Sequence, residues 1–369
     1  MKLSKESLRK TVDVQIVIVC TLLILPIVLA MANPIMAASK PTTVAEIALY
    51  QGPDREKLLI EGAKKEGKLT FYNSHTWFRV VFQEFEKKYP FIKVLNWRSS
   101  SRSILKRVVE EYAAGRFLVD AIETSPPAIQ MLHREGIFQE YYSPEIRNYG
   151  DQVKEKGETG VYYLADREIY IGLGFNTNLI SPTEAPKGLK DLLDPRWKGK
   201  MSITGSTTTI RWIGNALDVM GRDFIEKLSR QDIRVHNLSG AALANLVVAG
   251  EVPLSPTIFD SNIYVAKRKG ALVAWRPIEP VVTNVGYSGM TTKAAHPHAS
   301  LLLLDYLHSK EGQKVIMQGG LSSPRENTGS VEQKFKKTYL EANYPVIEEY
   351  AKKINEWESL LKRLFMKRR

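Results

Sequence analysis

From residue 68 the chain alternates short apolar runs with apolar positions at helical spacing. Lys68-Leu69-Thr70-Phe71-Tyr72 reads as a strand and Asn73-Ser74-His75-Thr76 as a polar loop, after which Phe78, Val81, Phe82, Phe85 and Tyr89 recur with a helical period. Pro90 ends that helix. Ile92-Lys93-Val94-Leu95 predicts the next strand, and Ser99-Ser100-Ser101 opens a helix carrying Leu105, Val108, Val109 and Tyr112 and closed by Gly115. A third unit follows, with a strand from Phe117 to Ile122, a turn at Glu123-Thr124-Ser125-Pro126 and a helix through Ile129, Met131 and Leu132 that stops at Gly136. Three such units in a row predict an α/β fold with a mainly parallel sheet flanked by helices on both faces.

A second series repeats this logic further along. Ile171 to Phe175 is an apolar strand without alternation, Asp194-Pro195-Arg196-Trp197-Lys198-Gly199 is a turn-rich surface segment, and Met201 to Thr204 begins another strand. Gly205-Ser206-Thr207-Thr208-Thr209 then opens a helix through Ile213, Leu217 and Met220, ended by Gly221. With 369 residues, 44% of them hydrophobic, the chain has the length of about two domains. No short-period repeat replaces that reading.

The amino terminus stands apart from the fold. Lys2, Lys5, Arg9 and Lys10 precede an uncharged run from Ile16 to Ala32, and small residues follow at Ala30-Met31-Ala32 and Ala37-Ala38. That layout predicts a secretory signal peptide over residues 1–38, with an uncleaved membrane anchor as the alternative. The only cysteine, Cys20, lies inside the run, so intramolecular disulfides and cysteine-ligated zinc are excluded.

Removing residues 1–38 changes the formal charge from +12 to +10, so the exported chain remains basic. A basic balance fits nucleic acid, an anionic membrane or an anionic solute, and export argues against nucleic acid. The charge clusters at Lys362, Arg363, Lys367, Arg368 and Arg369, read as a solvated helix end, with a membrane or partner contact as the alternative.

In open α/β sheets, ligands sit beyond the carboxyl ends of strands, where loops lead into helices. Here those loops are rich in hydroxyls and amides: Asn73-Ser74-His75, Ser99-Ser100-Ser101, Thr124-Ser125, Ser206-Thr207-Thr208 and Asp260-Ser261-Asn262. Ser and Thr hydroxyls together with amide N–H groups at helix starts suit an oxyanion, although the same residues also serve as ordinary helix caps. Tyr264, shortly before Lys267, Arg268 and Gly270, reads either as packing or as a ligand. His296-Pro297-His298 reads as a surface pair at a helix start. Nucleophile-elbow, Walker and zinc-helix motifs are missing from the sequence, which points to binding without catalysis.

Several segments together resemble a known family. Leu49-Tyr50-Gln51-Gly52, Glu66 to Ser74, Asp191 to Lys200, Gly240 to Asn245 and Gly250 to Leu254 are similar to the solute-binding proteins of ABC importers, in the branch that includes ferric-ion-binding proteins. Gly286-Tyr287-Ser288-Gly289 and Ser309 to Gln313 extend the likeness. The resemblance implies a type II periplasmic-binding-protein fold with the solute held in a cleft between two lobes. It places the chain's first crossing near residues 173–178 and its return near 281–286, giving a first lobe of 44–173 plus 286–320 and a second of 174–285 plus 321–369.

It further implies a periplasmic monomer, without cofactor, that delivers its solute to an ABC permease in the inner membrane. Ferric-binding members use neighbouring tyrosines with a carboxylate and a histidine; here the matching segment has only Tyr264, and Thr124-Ser125-Pro126 stands where an acid is expected. If iron is bound, Tyr264 and His75 are its candidate ligands. The site that fits the residues better is one for a small anion, such as a phosphonate, sulfonate or carboxylate, or for a ferric chelate. Ser74, His75, Ser100, Ser125, Arg167, Ser206, Thr207, Asn262 and Tyr264 would bind it. The alternatives are a ferric-ion-binding protein of an iron importer and an exported solute sensor.

Overall fold

The computed structural model describes residues 41–344 and 346–366; the signal segment with Cys20 and the last three basic residues lie outside them. Helix α1 (Val44–Leu49) starts at Thr43, whose hydroxyl accepts from Glu46 N while the Glu46 carboxylate accepts from Thr43 N, a reciprocal cap. Helix α2 (Arg55–Glu66) leads through Gly67 into the first series. This comprises β1 (Lys68–Asn73), α3 (Phe78–Lys88), β2 (Lys93–Arg98), α4 (Ser101–Ala113), β3 (Ala121–Thr124) and α5 (Pro126–Arg134). Strands β2, β1 and β3 are parallel neighbours, with Lys68 opposite Lys93 and Phe71 opposite Ala121. The third strand begins later than the apolar run suggests. Phe117 and Leu118 stay 41% and 50% exposed ahead of the sheet, and the Phe117 ring lies edge-on to Tyr112 of α4, 5.0 Å away.

The strands that follow add antiparallel pairing. After β4 (Lys154–Lys156) comes β5 (Val161–Asn176), a long strand buried over nearly its whole length. Next are β6 (Ser202–Thr204), α6 (Thr207–Met220), α7 (Arg222–Leu228), β7 (Arg234–His236), α8 (Gly240–Ala249), β8 (Leu254–Phe259), α9 (Asp260–Arg268) and β9 (Val273–Arg276). Strand β10 (Val281–Met290) then runs antiparallel to both β5 and β3, completing the order β2-β1-β3-β10-β5-β4; β8 and β9 pair with the far end of β5. Strands β6 and β7 form their own parallel pair. Helices α10 (Pro297–His308) and α11 (Lys310–Gln318), strand β11 (Lys337–Thr338) and helices α12 (Leu340–Asn343) and α13 (Ile347–Leu361) close the chain.

Buried apolar side chains gather in separate clusters. The largest joins Leu69, Phe71, Phe85, Ile104 and Ile129 to Leu301 and Leu304 of α10; a second joins Ile171, Leu173, Ile203 and Ile213 to Trp357 and Leu361 of α13. Along β5 the cluster changes between Ile169 and Ile171, and along β10 between Val282 and Val285. These changes lie side by side, since Ile171 pairs with Val282 and Ile169 with Asn284. Helix α13 docks on α6 because Gly214 has no side chain: a Cβ there would fall 2.5 Å from the Trp357 indole. Among the described residues, no helix is long and apolar enough to cross a membrane.

Candidate functional site

The loops after β1 and β2 spend most of their polar groups internally. Glu123, on β3, accepts from Ser74 N at 2.6 Å and from Ser74 Oγ at 3.1 Å, and it pairs with Arg167 Nη2 at 2.7 Å. Arg167 reaches it across Gly286, where a Cβ would come within 2.6 Å of the guanidinium carbon. Asp166 completes the cluster at 3.9 Å from Arg167 Nε; burial, and then the Glu123 charge, raise its carboxyl well above the usual range. His75 is pushed down to about 3 by burial and by the Arg167 and Arg98 charges. It is therefore a neutral imidazole at pH 7, with Nδ1 accepting from Trp77 N at 3.3 Å. Ser100 is exposed and caps α4 by accepting from Ser103 N at 3.2 Å.

A cavity of about 510 Å³ opens between the first turn of α5 and the first turn of α6. Of the residues singled out from sequence, it brings together Ser125 and Thr207, and it adds Thr208, Arg211, Phe259 and Asn284. Ser125 stands in the N-cap position of α5 without making a side-chain cap, so its hydroxyl is not used by the helix. Ser206 likewise does not cap α6; its Oγ lies 2.6 Å from Thr204 Oγ1.

Arg211, one turn into α6, was not legible as a site residue. Its Nη1 donates to Asn284 Oδ1 at 2.9 Å, and its Nη2 donates to Thr283 O at 3.1 Å and pairs with Glu341 at 2.8 Å. Its Nε has no hydrogen-bond partner, although the side chain is almost fully buried. Burial opposes the charged form, but the Glu341 charge and Tyr350 outweigh it, and the pKa is raised. The one available sequence signal was its spacing, four residues after Thr207, which puts both on one face of α6.

Asn262 and Tyr264 lie elsewhere. Asn262 borders a pocket with Asn245 and Lys269. Tyr264, 43% exposed, borders a cavity of about 710 Å³ with Asp260, Trp275 and Phe335, and its ring lies over Gly320. Phe335 packs against Tyr170, whose side chain leaves β5 on the face opposite Ile171 of the Arg211 cavity. Asp260 itself is pushed up to about 7 by burial, although it accepts from Tyr170 N and Ser261 N. Among the described residues no three His, Cys, Asp or Glu side chains are grouped to hold a metal. His296 and His298 are tied to separate carboxylates, Asp120 at 2.9 Å and Glu66 at 2.6 Å, and are part-buried rather than free on the surface.

Residues 119–347, well over half of the chain, match the family described as bacterial extracellular solute-binding protein. The chain belongs to this family. As a member it is a binding protein, and its mixed α/β fold is that of the type II periplasmic binding proteins. A Haemophilus influenzae protein described as uncharacterized is 26% identical over 274 residues, covering 70% of this chain and 78% of that relative. Iron-bound HitA from Pseudomonas aeruginosa is similar in structure with a TM-score of 0.63 at 18% identity, over 79% of this chain and 99% of HitA. AfuA from Actinobacillus pleuropneumoniae, with fructose-6-phosphate bound, is similar with a TM-score of 0.63 at 21% identity, over 80% of this chain and 99% of AfuA. At these identities the solved structures speak to the fold of this solute-binding protein.

Proposed function

We propose that this solute-binding protein is the substrate-binding component of an ABC importer and that it captures a small organic anion in the Arg211 cavity. The observation that carries this reading is a cavity lined by Arg211 beside the hydroxyl-rich first turn of α6, where amide N–H groups and the helix dipole favour negative charge. Ser125, Thr207, Thr208 and Arg211 hold the anion. Strands β5 and β10 act as the hinge between two lobes, with cores that change at Ile171 and Val282, and closure of the lobes traps the solute.

The chain is exported to the periplasm by its first 38 residues, works as a monomer and passes its solute unchanged to an inner-membrane permease. Relatives of this fold are described with iron, with iron and citrate, and with a sugar phosphate, so the fold leaves the solute open. Free ferric iron fits this chain less well, because among the described residues no three His, Cys, Asp or Glu side chains are grouped to hold a metal and Thr124-Ser125-Pro126 stands where an acid is expected. Thermal unfolding of the protein against ferric iron, ferric citrate, phosphonates, sulfonates and carboxylates tests the reading, since a ligand of the folded state raises the melting temperature. A rise with an organic anion and none with free iron is expected. A rise with free ferric iron alone overturns it.

A further inference from the structure

We infer that helix α13 is the specificity wall of the Arg211 cavity and that the solute is an amphipathic monoanion, one carboxylate or sulfonate on an aromatic or branched aliphatic body. The inference rests on the reading of this cavity as the solute site. Helix α13 begins at Ile347, at the end of the stretch matched to the family. It faces the cavity with Ile347, Tyr350 and Ile354, and Pro126, Pro127 and Phe259 line the cavity with it. The two prolines have no N–H, which removes two of the donors that the start of α5 would otherwise offer to an oxyanion. That leaves polar recognition to the Ser125 hydroxyl and to the α6 side.

On that side the positive charge is already matched. Arg211 pairs with Glu341 at 2.8 Å, so the solute's charge falls to the hydroxyls, amides and partial positive charge at the start of α6, which suit one negative charge, and a second would stand near the Glu341 carboxylate. The Thr207 and Thr208 hydroxyls at the start of α6 suit one oxyanion group, while the rest of the cavity removes an apolar body from water. The wall is held at both flanks of the cavity. Trp357 seats it on Gly214 of α6, and Glu348 pairs with Arg134 of α5 at 2.8 Å.

Calorimetric titration of the full-length protein with acetate, benzoate, isovalerate and inorganic phosphate tests this. Benzoate or isovalerate is expected to bind at least tenfold more tightly than acetate or phosphate. Ala351→Trp, at an exposed position on the cavity side of α13, is expected to weaken the apolar acids by tenfold or more at an unchanged melting temperature, and Ile354→Ser is expected to lower the benzoate-to-acetate ratio. Equal affinities for acetate and benzoate, untouched by either variant, would overturn the wall while leaving anion capture in place. Benzoate binding that survives Arg211→Gln unchanged would instead overturn the cavity as the anion site.

Discussion

Two arginines of this protein are nearly equally buried, 4% exposed for Arg167 and 8% for Arg211, yet they do different work. Arg167 is clamped on the strands, paired with Glu123 and near Asp166, with its guanidinium occupying the space that Gly286 leaves. Arg211 is also paired, with Glu341, but it borders open volume. Each Nε lacks a hydrogen-bond partner, so an unmatched donor alone does not mark a binding site. What sets Arg211 apart is the adjoining cavity, which leaves room for a solute beside the side chain.

The sharpest way to break this comparison is to remove the acid from each pair. Glu123→Gln removes the nearer carboxylate from the buried Arg167 charge, leaving only Asp166 at 3.9 Å, and should cost about 3 kcal/mol of stability in urea unfolding. A loss below about 1 kcal/mol would mean that Arg167 swings out to water. Trp357→Ala should cost about 3 kcal/mol by opening a cavity over Gly214, and it should also loosen α13, read as faster hydrogen exchange there than in α4. Uniform exchange would show that α13 does not depend on that contact.

Smaller effects refine the contrast. Glu341→Gln should cost about 2 kcal/mol, less than Glu123→Gln, because Arg211 keeps its bonds to Thr283 O and Asn284 Oδ1. Equal losses would make the two pairs energetically alike. The pH dependence separates the two sides further, since His75 sits under the Arg167 charge. Its unfolded imidazole takes up a proton below pH 6.5, whereas the folded one resists to about pH 3. More protons are then bound in the unfolded state, so stability should fall as pH is lowered through that window. His75→Asn should flatten this fall in urea midpoints, and Glu341→Gln should leave it in place.

The element pattern was legible because it is local. Apolar period, Pro90, and the turn glycines Gly115, Gly136 and Gly221, each with positive φ, set the strand and helix order, but the third strand starts later than Phe117 and the run Ile171 to Phe175 is only the end of a strand that begins at Val161. The hydroxyl-rich loops were legible as loops, and Ser125 and Thr207 do meet at one cavity. Tyr264, singled out from its place before Lys267 and Arg268 and from a segment likeness, sits a turn into α9 on another pocket.

The sequence by itself determined the class of fold, the order of its elements and the family likeness. Tertiary structure alone decided which polar groups remain for a solute. Ser74 is consumed by a carboxylate 49 residues away, and Arg211 is balanced by one 130 residues away. Whether a donor is spare depends on those distant partners and on the empty volume beside it, and neither is written in the spacing of nearby residues.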